Sequence, residues 1–214
     1  DNGVGVAGAC FDCQLLLYKV GTSGVVGGAP NVDDKFVRDL AEALRAVGDS
    51  DAAVVNMSLG TRRDHAPLAD AVAYVRSKGK VIVAAAANDQ GKPGLAFAPH
   101  YPAAYPGVIA VASTRSNASI SPFSSQGDYV DIAAPGEVVL STTDPRDPVG
   151  AVVGNAKYKA ISGTSMASPI VAGLAGLMKS VRPDLTPEEV EAIMKSTADK
   201  MGSAQAYGAG RINA

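Results

Sequence analysis

The stretch from Ile161 to Lys179 constrains this chain more than any other. It reads Ile-Ser-Gly-Thr-Ser-Met-Ala-Ser-Pro-Ile-Val-Ala-Gly-Leu-Ala-Gly-Leu-Met-Lys. A polar, glycine-containing turn runs straight into a helix of small and apolar residues. Pro169 is expected in the first helical turn, where a missing N–H costs little. From Ala167 to Met178 the helix is apolar almost all round, which predicts a buried helix rather than an amphipathic one. Ser165 sits at the junction. A Ser at the mouth of a buried helix is held rigidly, and the unpaired N–H groups and dipole of the helix start favour negative charge beside it. Read alone, the same turn also fits an ordinary Thr or Ser N-cap on a core helix.

The remaining core must be made of aliphatic residues. The 214-residue chain has 23 Gly, no Trp and few aromatics. Ala, Val, Leu and Ile, with close backbone approaches at Gly, suit a parallel α/β sheet whose strands are buried on both faces. The length predicts one domain over residues 1–214. No apolar run is long enough to span a membrane. The net charge is −2 and neither sign dominates any stretch, so neither nucleic acid nor an anionic membrane is indicated as a partner. The chain opens on a loop-like Asp-Asn-Gly with no signal peptide, and it reads as truncated, processed or engineered.

Periodicity places the elements. Gln14 to Val20 and Ala52 to Met57 read as strands, as does Lys80 to Ala87. Asp33 to Val47 and Pro67 to Lys78 read as helices, the second ended by Gly79. Val108 to Ala112 and Tyr129 to Ala133 are short strands. Val138 to Ser141 and Tyr158 to Ser162 fit an antiparallel pair leading into the Ser165 turn. Thr186 and Glu189 spell a capping box for a helix to about Ala198. Asn56-Met57-Ser58 matches the glycan acceptor pattern, but a buried strand is a poor place for a glycan. Cys10 and Cys13 leave several readings open: half a metal site, a redox pair, two free thiols or a local disulfide, with the balance toward the bridge.

Gly163-Thr164-Ser165-Met166-Ala167-Ser168-Pro169 followed by Val171-Ala172-Gly173 resembles the nucleophile segment of the subtilisin-like serine proteases. Ile170 stands where many members carry a non-catalytic His. Asn56-Met57-Ser58-Leu59-Gly60 is a second match, and Asn88 after an Ala-rich strand is a third, with Ala87 where Gly is usual. Ile120 to Gly127, Asp131 to Gly136 and Tyr207 to Asn213 match further family segments. The resemblance implies a three-layer α/β fold, a mainly parallel sheet flanked by helices. It implies Ser165 as nucleophile and Asn88 as a donor to the oxyanion. Ser58, Leu59 and Gly60 would form an extended edge that pairs with a polypeptide substrate and walls the pocket for the residue before the scissile bond. Gly24 to Val32 would form another wall, and His100 would fall near the pocket floor. Residues 1–8 match a calcium-wrapping loop, with Asn2, Val4 and Val6 as ligands.

The family's order is Asp, then His, then Ser. Its Asp and His segments lie upstream of the calcium loop, at which this sequence starts. His65 and His100 lack the family's His-Gly-Thr-His surroundings, so neither is assigned as general base. Without a base the Ser hydroxyl is a weak nucleophile at neutral pH. The expectation is therefore the C-terminal two-thirds of a secreted serine endopeptidase domain, inactive in isolation. Its exposed sheet edges call for the missing N-terminal segment, a pro-peptide or self-association. The rival is a non-catalytic remnant of the same fold used for binding or assembly. An unrelated serine hydrolase is disfavoured, since no Gly-x-Ser-x-Gly surrounds Ser165.

Overall fold

The computed structural model describes residues 6–20, 34–143, 151–153 and 158–213. Four parallel strands form the central sheet in the order β1-β2-β3-β4: β1 Val54–Met57, β2 Val81–Ala85, β3 Val108–Thr114 and β4 Ile132–Pro135. The register sets Val54 opposite Val81, Ile82 opposite Val108 and Val111 opposite Ile132.

Successive side chains of a strand point to opposite faces, and the sheet's two faces feed two separate cores. Ile82, Ala84, Val108 and Ala110 pack against helices α1 (Asp34–Gly48) and α2 (Ala66–Ser77) through Val37, Leu40, Leu44, Leu68, Val72 and Val75. Val81, Val83, Ile109 and Val111 pack against α3 (Thr164–Val181) and α4 (Pro187–Thr197) through Ala167, Val171, Ala175, Val190 and Met194. This is the three-layer α/β arrangement expected from the sequence. α2 ends at Gly79, whose φ of +72° suits glycine. α4 starts on the expected capping box, Thr186 accepting from Glu189 N and Glu189 accepting from Thr186 N.

A second sheet of β5 (Val139–Thr142), β6 (Ala151–Val153) and β7 (Tyr158–Ile161) is antiparallel, ordered β5-β7-β6. β7 delivers the chain directly into α3. Beyond α4, the one-turn helix α5 (Ala204–Tyr207) leads to the last described residues. Among the described residues no helix is long and apolar enough to cross a membrane.

Three expectations are corrected. Gln14 to Val20 forms no strand, and Leu15 and Leu17 are 82% and 85% exposed. Apolar, β-prone residues become a strand only where an edge pairs with them, and none of the described residues does so here. The segment instead borders a groove of about 210 Å³ beside β1, lined by Leu16, Leu17, Leu40, Leu44 and Val54. Second, α3 is not buried all round. Thr164, Ala167, Ser168, Val171 and Ala175 form its buried stripe, while Leu177 and Val181 lie in solvent. Its small-residue flank takes the N-terminal turn: a Cβ on Gly173 would meet Ala9, and one on Gly176 would meet Cys13 Sγ. Cys10 and Cys13 close that turn as a disulfide. Third, α3 begins at Thr164, which puts Pro169 in the second turn rather than the first.

Candidate active site

Ligands of open parallel α/β sheets bind beyond the carboxyl ends of the strands. Here the ends of β1 and β2 and the start of α3 converge at that place. Ser165 lies in the first turn of α3, and its Oγ donates to the backbone carbonyl of Ser58 at 3.2 Å. Ser58 replies: its own Oγ donates to the Ser165 carbonyl at 2.8 Å. Pro169 makes this possible. Its missing N–H is the one that would have bonded the Ser165 carbonyl four residues back, so that oxygen is open to the Ser58 hydroxyl.

The grip continues through Asn56. Its Nδ2 donates to Ser58 Oγ at 3.0 Å, and its Oδ1 accepts from Ser168 Oγ at 2.5 Å. Asn56 is exposed although it lies in β1, and both ends of its amide serve to fasten β1 to α3.

Asn88 follows β2 and faces the same helix start. Its Oδ1 accepts from Thr164 N at 2.9 Å and from Thr164 Oγ1 at 3.1 Å. A backbone N–H can only donate, so the Thr164 bond fixes which amide atom is oxygen. The Nδ2 donor lies beside Gly163. A point one Cβ length off Gly163 lies 3.4 Å from Asn88 Nδ2 and 3.7 Å from Ser165 N. That space is empty because residue 163 is glycine. It is flanked by a side-chain amide, by Met166 Sδ at 3.6 Å and by a backbone N–H of the first helical turn, which has no intrahelical acceptor. Such a pair of donors can stabilise an oxygen that gains negative charge.

The loop bearing Asn88 is held on all sides. Ala87 keeps the left-handed backbone that its usual glycine would adopt, at φ +86°, a conformation costing an L-residue about 1–2 kcal/mol. What holds it there is a set of bonds from residues 123–129. Tyr129 Oη donates to the Ala86 carbonyl at 2.7 Å and Ser125 N to the Ala87 carbonyl at 2.9 Å. Asp89 N donates to Ser125 Oγ at 2.9 Å and Gln90 N to the Phe123 carbonyl at 3.2 Å. Burial pushes the Tyr129 phenol up to about 12, so it stays a donor at every working pH. The side chain of Asp89 is almost fully buried and is met by Arg62 at 3.0 Å through two bonds and by Lys92 at 2.5 Å. Burial alone would raise its pKa, but the two cations together hold it below the usual carboxylate value.

The edge Ser58-Leu59-Gly60 runs on to Thr61, which exchanges two backbone bonds of 2.7 Å with Tyr101. His100 packs against Gly60, its Nδ1 buried and unpartnered, and burial lowers its pKa. His65 stands at the N-terminus of α2, its Nε2 likewise buried without a partner. Neither histidine bonds Ser165, and no general base touches Ser165 among the described residues.

A family profile described as the subtilase family matches residues 1–210. The chain belongs to the subtilase family. Thermitase of Thermoactinomyces vulgaris is 38% identical over the whole of this subtilase chain, which spans 68% of that protein. A halolysin-like extracellular serine protease, Nep, of Natrialba magadii is 36% identical over the whole chain, which spans 35% of it. Among solved structures, a protease from Pseudoalteromonas arctica PAMC 21717 matches 99% of the chain with a TM-score of 0.78 and 30% identity. The chain spans 64% of that structure's length.

The structure thus brings Ser165, Asn88, Ser58, Leu59, Gly60 and His100 to one end of the sheet. Of the residues named for calcium, Asn2 and Val4 lie outside the described residues, as does Gly24 to Val32. Val6 is described and partly exposed. Sequence reasoning missed Thr164, Asn56, Ser168, Arg62 and Asp89. Thr164, Asn56 and Ser168 lie inside matched motifs and could have been found there. The Arg62–Asp89 pair spans 27 residues and has no local signal.

Proposed function

We propose that this subtilase chain carries the nucleophile and oxyanion half of a secreted serine endopeptidase. The observation that supports it best is the fixed Asn88 amide, whose Nδ2 shares one empty point with Ser165 N. In this reading Ser165 Oγ attacks the scissile carbonyl carbon of a polypeptide lying along Ser58 to Gly60. Its proton passes to an imidazole outside the described residues, oriented by a carboxylate also outside them. The carbonyl π pair moves onto oxygen, which Asn88 Nδ2 and Ser165 N receive. Collapse breaks the C–N bond, the imidazolium protonates the departing amine, and water later hydrolyses the ester. Before attack, Ser165 must give up its bond to the Ser58 carbonyl, an acceptor too weak to act as base.

Secretion fits a relative named as an extracellular protease. A structural calcium at Asn2, Val4 and Val6 belongs to the same proposal. One of the three, Val6, lies within the described residues, and its carbonyl would supply one of the six to eight oxygens that calcium takes. The groove beside β1 is the natural place for the upstream segment of the domain or a pro-peptide.

Fluorophosphonate labelling of Ser165 tests the reading. The 214-residue chain should stay unlabelled, and a form extended upstream through Asp and His motifs should label. A folded, extended form that does not label would support the non-catalytic binding remnant instead. In the extended form, Asn88→Ala should lower kcat by about 10²–10³, a figure that comes from subtilisin itself.

A further inference from the structure

Three hydrogen bonds leave α3 at Ser168, cross to β1 and return to α3 at Ser165. Ser168 Oγ donates to Asn56 Oδ1 at 2.5 Å, Asn56 Nδ2 donates to Ser58 Oγ at 3.0 Å, and Ser58 Oγ donates to the Ser165 carbonyl at 2.8 Å. The direction of this chain is not free. A carbonyl oxygen only accepts, so the single Ser58 hydroxyl hydrogen must point at Ser165. Ser58 Oγ is then left as an acceptor toward Asn56, which has to present its nitrogen there and its oxygen to Ser168. One open acceptor, the Ser165 carbonyl whose helical donor Pro169 removes, thus sets every hydrogen back to Ser168.

Ser168 and Asn56 sit in opposite surroundings. Ser168 is fully buried, so its hydroxyl needs a partner inside the protein. Without Asn56 it is left to the carbonyl four residues back, that of Thr164, and such back-bonding bends helices. Asn56 is exposed on a strand whose neighbouring residues Val55 and Met57 are buried. Its amide therefore adds little to the core, yet it is bonded to both Ser58 and Ser168.

We propose that Asn56 is a positioning residue for the nucleophile. Acting through Ser58 on one side and Ser168 on the other, it holds the first turn of α3, and with it Ser165 Oγ, at the place of attack. The proposal rests on the peptidase reading above. This role needs the donor at Nδ2 as well as the bulk of the side chain. A carboxylate at position 56 has the same size but accepts at both oxygens. Ser58 would turn its hydrogen to that carboxylate, the stronger acceptor, and the Ser165 carbonyl would lose its bond.

The test uses the complete protein as its gene encodes it, with Asn56→Ala, Asn56→Asp, Ser168→Ala and the double variant of the two alanines. Peptide hydrolysis is measured as kcat per site titrated with a fluorophosphonate, which removes differences in the folded fraction. Asn56→Ala and Asn56→Asp should each lower the pH-independent plateau of kcat by at least about tenfold, within the ~10²-fold that a misplacement of about 1 Å costs. KM should stay within about twofold, and the urea midpoint near that of the wild type, as for exposed positions. The double variant should lose little more than Asn56→Ala alone, because both changes break one chain. Wild-type kcat in Asn56→Ala, whether or not the urea midpoint falls, gives Asn56 a structural role only and overturns the proposal; the peptidase reading then stands. A plateau near wild type in Asn56→Asp overturns it as well, since bulk without the donor would suffice. Losses that multiply in the double variant do the same. Wild-type protein that neither cleaves peptide nor labels at Ser165 overturns the peptidase reading itself, and this proposal with it.

Discussion

The two margins of the parallel sheet are finished differently. At β4 the backbone continues to find partners. Ala133 N donates to Gly210 O and Ile212 N to Ala133 O, both at 2.9 Å, and Ala209 N donates to Asp131 O at 2.8 Å. Arg211 exchanges two further bonds with Asp199. At β1 the pairing stops among the described residues, and a groove with exposed Leu16 and Leu17 takes its place. An unpaired strand invites another chain. The chain spans 64% of the protease from Pseudoalteromonas arctica. Among the described residues the β4 margin is sealed and the β1 margin is not. The candidate site lies between them, at the ends of β1 and β2.

If the sealed margin carries the stability, the largest loss should come from Gly208→Ala. Gly208 has φ +58°, and an added Cβ would lie 2.1 Å from the Asp131 carbonyl carbon. Backbone against backbone cannot yield cheaply, so a loss of about 3–4 kcal/mol is expected. The urea midpoint measures it, and a loss under about 1 kcal/mol would mean the seal is slack.

The buried charges between the margins should give a smaller, pH-dependent effect. The folded pKa of Asp89 lies below its unfolded value. Its contribution is therefore complete above the ordinary carboxylate range and fades as pH falls through the lower, folded pKa. Asp89→Asn should cost about 2 kcal/mol at neutral pH, the scale of hydrogen bonds to charged groups. The two proteins should converge in strong acid. Parallel stability curves across the acid range would remove Asp89 from the account.

The open margin should give the least. Replacing Leu15 and Leu17 with Ser should change stability by no more than about 0.5 kcal/mol each, as for surface positions generally. It should also move the sedimenting species toward monomer. A large loss of stability would show that the segment is packed in solution.

Much of this was legible in the sequence. The continuous aliphatic runs of β2 and β3 declare strands buried on both faces, and the helical spacing of Val37, Leu40 and Leu44 declares α1. The string Gly163 to Pro169 located Ser165, and the Ala-rich strand located Asn88. Gln14 to Val20 misled because strand propensity describes a surface that fits a sheet, not the presence of a partner. α3 misled because Gly173, Gly176 and Leu177 read as core while only one stripe meets the sheet. The clamp on Asn88 was hidden for another reason. Ser125 and Tyr129 lie about forty residues from the backbone they hold, and such distances leave no period or cap to read.

Pro169 has one more consequence. A regular helix transmits strain along its hydrogen-bond ladder from turn to turn. By breaking one rung, Pro169 divides α3 into a stem, fixed in the core by Val171 and Ala175, and a short head carrying Ser165. The Ser58 hydroxyl stands in for the missing rung. The head of the helix is thus tied to the chain just beyond β1 as well as to its own stem. The position of Ser165 is thereby coupled to that stretch of chain as well as to the core.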